Sequence, residues 1–373
     1  MASGDFTTFG GMDRANHAQA RHLALRGDEV HLVGHRVSAD LAALPNVHVH
    51  PVARPMGAHL AGAPLLAHET RRQARTLGPA AHVLVNGGNA PGPVTWIHYL
   101  HAAFEPRTGA SVRSRVSSSL GRRYYLSRER AVVSRASLVI CNSRRTADDV
   151  HQHYRVAASR LRVVYYGVDA AVFSAPSSNE RRTARATFGI APDRRAALFV
   201  GALGDRRKGF DALFAAWQML CADGGWDVDL LVAGTGAERA AWERRAAGAS
   251  LTARVRFLGF RSDVVTAIAA ADVLVHPARY EAYGLGVHEA ICRGVPAIVS
   301  RSAGVAERYP PAMQDLLIEG PVDASSVAEA MWRWRSEADA WTTRCEAFAA
   351  SLRARSWDAM SAEIAALVEG AAA

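Results

Sequence analysis

Lys208 is the only lysine in this 373-residue chain, whose 44 Lys+Arg positions are otherwise all arginine. It lies in Val200-Gly-Ala-Leu-Gly-Asp-Arg-Arg-Lys-Gly209, a loop of mostly small residues directly after the apolar run Ala196–Val200. A compact ammonium on a flexible stem suits phosphate as a point charge, and the planar arginine fork does not replace it freely. The competing reading is one lysine that survived by drift on a solvated loop. Further along, Glu281 and Glu289 are separated by seven intervening residues, Gly284 and Gly286 among them, where the chain must turn tightly or let a ligand touch backbone. A cation after one strand suits a phosphorylated ligand.

The elements that must position these groups follow from pattern. Val273–His276 reads as a buried strand, Val287–Cys292 as a short helix closed by Gly294, and Pro296–Ser300 as the next strand. Glu281 then sits in the loop before the helix and Glu289 within it. Loop amides and helix N-terminus point at one place, a ready anion site. Further strands are expected at Glu29–Val33, Val47–His50, His82–Val85, Val94–Ile97 and Leu138–Cys141, then at Ala197–Val200, Asp229–Ala233 and Arg254–Leu258. Helical patterns such as Met12–Arg26 and Asp211–Cys221 lie between them. The alternation predicts two doubly wound parallel sheets with a boundary near Tyr166–Pro176. Little chain precedes the Gly10-Gly11 turn, so the first strand is either very short or begins upstream of this sequence.

Glu281 through Pro296 resemble the E-x7-E signature of the retaining GT-B glycosyltransferases of the GT4 family (glycosyl transferase group 1). Arg207-Lys208-Gly209 resembles that family's donor-phosphate loop, Val232-Ala-Gly-Thr-Gly236 its G-x-G turn, and Phe257-Leu-Gly-Phe260 its nucleobase loop. Gly10-Gly11-Met12 is similar to its N-terminal Gly-rich loop. Cys141-Asn-Ser143 and Tyr166-Gly-Val-Asp169 are similar to segments near its interdomain crossing. The resemblance runs over essentially the whole chain in family order. It implies an α/β GT-B fold of two Rossmann-like domains facing a central cleft. Residues 1–166, with a crossing helix in 356–373, would form the acceptor side, and residues 167–355 would bind the nucleotide-sugar.

The resemblance also implies a hexosyltransferase-type reaction, moving a sugar from a nucleotide-diphosphate sugar to an acceptor with retention. Breaking the anomeric C–O bond leaves charge on the β-phosphate, which cations and amide dipoles must meet in a dry cleft. Arg207 and Lys208 would supply the charge, and the Gly284–Gly286 amides the dipoles. No metal and no cofactor beyond the co-substrate is then required, and no DxD-type pair is placed for a metal. Glu281 would face the donor sugar and Glu289 the ribose. Gly10, Gly11, Arg206, Gly234, Gly236, Gly259, Phe260, Tyr283, Gly284, Leu285 and Gly286 complete the implied donor site. In Trp96-Ile-His98-Tyr-Leu-His101, His98 comes directly off a strand, as the family's active-site histidine does, with His101 second; a His98/His101 metal pair lacks further ligands nearby. Retention is usually attributed to front-face attack, so no enzymic nucleophile is demanded.

Two departures stand out. The family's Gly-Arg at the phosphate loop is Gly201-Ala202 here, with Arg206 a candidate replacement cation, and Ser302-Ala-Gly-Val-Ala-Glu307 lacks one family glycine. Ala202 motivates the rival reading, a catalytically weak or inactive nucleotide-sugar-binding protein. A pyridoxal-phosphate phosphorylase would need a lysine beyond the one already in the phosphate loop. A sugar-nucleotide epimerase would not show the E-x7-E context. A dinucleotide oxidoreductase is disfavoured because Gly10-Gly11 is no G-x-G-x-x-G.

Bulk properties agree with a globular protein of two domains: 49% hydrophobic and 21% charged residues, and no run of ~20 apolar residues for a membrane span. No secretory signal is visible, and four dispersed cysteines read as reduced thiols of a cytoplasmic protein. The net charge of +9 is uneven. Residues 1–167 hold 21 Arg against 10 Asp+Glu, and 168–373 hold 23 Arg+Lys against 25. The excess peaks in Arg107–Arg135, where Val112, Val116, Leu120 and Tyr124 recur every fourth residue beside arginines. That pattern fits peripheral contact with an anionic membrane, an anionic acceptor, or a solvated arginine-rich face. No nucleic-acid motif accompanies the charge, so no nucleic-acid partner is expected. The acceptor stays open among a lipid-linked sugar, a glycan and a small molecule.

Overall fold

Every strand pairing among the described residues is parallel. Short apolar runs alternating with helices lead to this, because parallel neighbours need a crossover between them. The computed structural model describes residues 1–104, 112–222 and 224–371, with side chains in the helix from Val112 described from Gly121 onward. The chain divides into two units, Met1–Gly167 with Arg355–Ala373, and Val168–Ala354.

The first unit runs β1 (Asp5–Phe6), α1 (Gly11–Arg26), β2 (Val30–Gly34), β3 (Arg36–Val37), α2 (Ala39–Ala42), β4 (Val47–Pro51), α3 (His59–Leu77), β5 (Leu84–Asn86), β6 (Val94–Ile97), α4 (Val112–Arg135), β7 (Leu138–Cys141), α5 (Arg144–Tyr154) and β8 (Leu161–Val163). Strands β5-β6-β7-β8 form one sheet, β2-β4 a second and β1-β3 a third. Ala2 bridges to both Val33 and Val85, so the first residues act as a broken strand between β2 and β5. Trp96, Ile97, Val133, Val139 and Ile140 are fully buried in its core.

The second unit runs α6 (Ser178–Thr187), β9 (Arg195–Val200), α7 (Phe210–Ala222), β10 (Val228–Ala233), α8 (Arg239–Gly248), β11 (Val255–Gly259), α9 (Val264–Ala270), β12 (Val273–His276), α10 (Leu285–Cys292), β13 (Ala297–Ser300), β14 (Leu317–Ile318), α11 (Ala324–Ser336) and α12 (Ala338–Arg353). Its sheet order is β11-β10-β9-β12-β13-β14. The chain winds outward from β9 on one side, then returns to lay β12 on the other. The order therefore reverses between β9 and β12, where open α/β sheets form a crevice at the strands' carboxyl ends.

The last helix, α13 (Trp357–Gly370), belongs to the first unit. Its Met360, Ile364, Ala365 and Val368 are buried, Gln19 of α1 donates to the Ser361 carbonyl, and Arg26 pairs with Glu369 at 2.6 Å. Most expected strands are present with ends shifted by one or two residues; His82–Val85 moves to Leu84–Asn86, and the Val287–Cys292 helix starts two residues earlier. Strands β3, β8 and β14 were not anticipated, since two or three residues carry no readable period. The side chains of Val112, Val116 and Leu120 lie outside the described residues, so the four-residue stripe on α4 is visible only at Tyr124, which is half-buried.

Candidate functional site

The loop after β9 and the loop after β12 meet at the switch point of the second unit. Asp205 caps the turn Arg206–Lys208 by accepting from the Arg207 amide at 3.0 Å. Gly209 ends the turn at φ +71, and a β-carbon there would lie 1.8 Å from the Pro277 carbonyl. Only glycine lets this turn press against the end of β12. Arg279 fastens the two loops: its amide donates to the Arg207 carbonyl at 2.8 Å, and its guanidinium to the Arg206 carbonyl and, through both arms, to Asp211.

This convergence brings Lys208 Nζ within 2.5 Å of Glu281 Oε2. His276, the last residue of β12, donates from Nε2 to the same oxygen at 2.9 Å. All three side chains are largely buried, at 18, 12 and 7% exposure for Lys208, Glu281 and His276. Burial alone would raise the Glu281 pKa, but the Lys208 charge and the His276 hydrogen bond, helped by Arg207, outweigh it and hold the carboxyl well below its usual range. Burial likewise lowers the His276 pKa, against the pull of Glu281.

Helix α10 points its N-terminus out of the same loop. Gly284 is its N-cap at φ +107, and the first helical amides, those of Leu285 and Gly286, have no acceptor among the described residues. A helix start leaves such amides for an outside anion. Glu289 is buried one turn further on. Tyr283 is also buried, with its hydroxyl 2.7 Å from His288 Nδ1, so that position offers a ligand backbone rather than a ring.

The remaining candidates in this unit divide. Gly234 and Gly236 follow β10, and β-carbons there would lie 1.9 Å from the Gly201 carbonyl and 1.7 Å from the Leu203 carbonyl. Their smallness is required by backbone packing onto the phosphate loop. Gly259 ends β11 and accepts from the Gly234 amide, and Phe260 beside it is 69% exposed. Arg207 pairs with Asp205 at 3.0 Å. Arg206 is turned to Asp211 at 3.7 Å and is 47% exposed, and the same Asp211 is held by Arg279.

In the first unit, Gly10 caps α1 at φ +79 and Gly11 is its first residue. Asp13 in that first turn has its Oδ1 buried without a partner among the described residues. Burial, then the nearby Asp5 carboxylate, raises its pKa to about 6. His98 follows β6 and is buried. Its Nδ1 is hydrogen-bonded to the Tyr166 hydroxyl, which also accepts from Asn142 at 3.1 Å. With the Tyr166 proton directed to Nδ1, Nε2 carries the imidazole proton, and Nε2 has no partner among the described residues. Burial pushes the His98 pKa down to about 3, so the ring is neutral. His101 is engaged elsewhere: its Nδ1 and amide both meet Glu129, which is buried in α4 and also accepts from Tyr154.

Sequence reasoning missed His276, Arg279, Glu129 and Tyr166 as contributors. His276 closes an apolar run and read as the strand's end. Glu129 is an acid in an arginine-rich helix, where residue type alone gives it no separate signal. Tyr166 was quoted within a motif, yet only the fold shows it holding His98.

Comparison with known proteins covers both units. The family description "Glycosyltransferase Family 4" matches residues 9–172, and "Glycosyl transferases group 1" matches residues 180–346. The chain is 28% identical over 257 residues to a D-inositol 3-phosphate glycosyltransferase of Corynebacterium urealyticum, covering 66% of this chain and 59% of that protein. It is 35% identical over 157 residues to a GDP-mannose-dependent alpha-(1-6)-phosphatidylinositol dimannoside mannosyltransferase of Mycobacterium tuberculosis, covering 41% of this chain and 39% of that one. The match thus spans less than two thirds of these curated relatives. Among solved structures, WaaG, a glycosyltransferase involved in lipopolysaccharide biosynthesis, aligns with TM-score 0.76 at 21% identity over 99% of this chain and 98% of that one. Anabaena HepE, solved with UDP and glucose, aligns with TM-score 0.72 at 18% identity over 98% of both chains. At those identities the structures establish the fold, GT-B. The two family descriptions together take in nearly all of the sequence, and the chain belongs to the family 4, group 1 glycosyltransferases.

Proposed function

We propose that this chain transfers a sugar from a nucleoside-diphosphate donor to an acceptor, with retention at the anomeric carbon and without a metal. The observation that carries the reading is the Lys208–Glu281–His276 cluster at the switch point of the second unit, beside the free first amides of α10. A diphosphate placed there meets an ammonium and helix amides, which favour charge on the departing β-phosphate. Lys208 then exchanges Glu281 for a phosphate oxygen, and Glu281 is left to hold donor-sugar hydroxyls. Glu289 takes the ribose, Arg207 adds charge, and Phe260 offers an exposed ring to the base. His98 presents Nε2–H to a sugar hydroxyl. The acceptor is proposed to be anionic or lipid-linked, because the arginine surplus lies in residues 1–167 and the relatives' names carry inositol phosphate and phosphatidylinositol groups. Peripheral contact with the inner membrane face belongs to the same proposal.

The test is a thermal-shift screen of UDP-, GDP-, ADP- and dTDP-sugars. A donor at 100 times its Kd stabilises by about 2.7 kcal/mol. One donor is expected to shift the melting temperature, and Lys208→Ala is expected to abolish the shift. No shift with any donor overturns the reading. A shift without donor hydrolysis or transfer supports the binding-only alternative that Ala202 suggests.

A further inference from the structure

A cluster of histidines lies in the first unit, where the parallel pairing of β2 with β4 sets His31 opposite His48 and Val33 opposite His50. The His31 and His48 rings stack with centroids 4.6 Å apart, and the His31 and His50 rings at 5.2 Å. Glu29, just before β2, reaches over the pair: its Oε1 is 3.1 Å from His48 Nε2 and 3.6 Å from His31 Nε2. Among the described residues, Glu29, His31 and His48 are the group of three whose ligand atoms all lie within 4.8 Å of one another.

We propose that Glu29, His31 and His48 form a binding site for a zinc-type divalent cation, with His50 as the residue that orients His31. The donor set, two imidazoles and a carboxylate, is one zinc takes, with water free to fill a fourth position. Zinc–ligand bonds of about 2.0–2.2 Å in a tetrahedron put neighbouring donors about 3.3 Å apart. The two edges at Glu29 bracket that value, and the two imidazole donors lie within 4.8 Å of each other, so the histidines close on the ion as it binds.

His50 supplies what an isolated histidine pair lacks. Its Nε2 lies 2.9 Å from His31 Nδ1, so one of these nitrogens carries the shared proton. With that proton on His31 Nδ1, His31 Nε2 turns a lone pair toward Glu29. That atom is buried and has no hydrogen-bond partner among the described residues. An outer partner such as His50 fixes the tautomer and direction of a metal-bound imidazole. Glu29 and His31 also line a cavity of about 500 Å³. The ion would tie β4 to β2, a two-stranded pair otherwise held by backbone bonds and packing.

The experiment is a calorimetric titration of the full, tag-free chain with Zn²⁺, backed by the visible spectrum of the Co²⁺ form. One saturable site per chain with the intense bands of a tetrahedral Co²⁺ centre is expected. His48→Ala and Glu29→Gln, both at exposed positions, should each weaken binding more than tenfold, and His50→Ala by about 10–100-fold. His153→Ala, on α5, should leave it unchanged. Zn²⁺ should raise the melting temperature of the parent chain and not of Glu29→Gln. No saturable site, or one whose affinity is the same in His48→Ala and Glu29→Gln, overturns the proposal.

Discussion

The Lys208–Glu281 pair puts two roles into one contact. In the ligand-free fold the ammonium is committed to a buried carboxylate, so diphosphate must compete for it. Removing one partner of a buried pair costs about 3–5 kcal/mol, because the other is left charged and unpaired. Lys208→Ala should therefore lower both stability and kcat/KM, and adding Glu281→Gln should restore much of the stability but not the activity; a denaturation cycle across the four proteins reads this. Glu281→Gln alone should lower kcat while tightening the nucleoside diphosphate, since Lys208 is released. Weaker diphosphate binding in that variant, seen by calorimetry, would mean the carboxylate holds ligand rather than restraining Lys208. The depressed Glu281 pKa makes its contribution full above its ordinary 4.5 and lost only as pH falls further, so the pair stays charged through the neutral range. Lys208 was legible because composition isolates it, and the two glutamates because they share one short stretch. Their meeting was not, because it depends on β12 returning to the far side of β9.

Elements fix where these groups can stand. Gly209→Ala would place a methyl against the Pro277 carbonyl at a φ that side chains avoid. We expect a loss of at least about 1–3 kcal/mol together with weaker donor binding, as the turn carrying Lys208 lifts from β12. A lower melting temperature with unchanged donor affinity would separate the turn from the site. At the start of α1, Asp13 holds its proton more tightly when folded, with a pKa near 6 against 3.8. Stability therefore falls as pH rises through that window, and the cost persists above it. Asp13→Asn should be more stable than the parent at pH 7.5 and nearly equal at pH 3.5, by urea denaturation at each pH. Apolar runs bounded by turn residues, such as Val273–His276 before Pro277, were readable from sequence. The broken opening strand was not, because Ala2 joins the sheet through single bridges to Val33 and Val85 rather than through a run of its own.

At the scale of the whole molecule, charge and chain path are the informative quantities. With 21 Arg against 10 acidic residues in 1–167, we expect salt-sensitive sedimentation with phosphatidylglycerol vesicles. Each arginine near such a surface contributes about 1 kcal/mol, so Arg113, Arg115 and Arg123→Ser together should weaken binding roughly a hundredfold. Arg128 and Arg130 are poorer probes, since one donates to the Asn89 carbonyl and the other lies over Tyr154. Binding that is absent at low salt, or indifferent to the triple change, would favour a soluble acceptor. Two parallel α/β units were legible from the spacing of apolar runs, and the return of the last helix from family likeness; the division of the first unit's strands into three sheets was not. What that return means for a growing chain is a matter of timing. Residues 355–371 leave the ribosome only after the whole of Val168–Ala354. At about 5–20 residues per second, the first-made sheet waits roughly 10–40 s for its final helix. During that interval Gln19 and Arg26 of α1 lack their partners Ser361 and Glu369. The second-made unit is contiguous in the chain, so we expect it to be able to finish before the first, and pulse proteolysis of nascent chains should find the first unit the more exposed until residues 355–371 emerge.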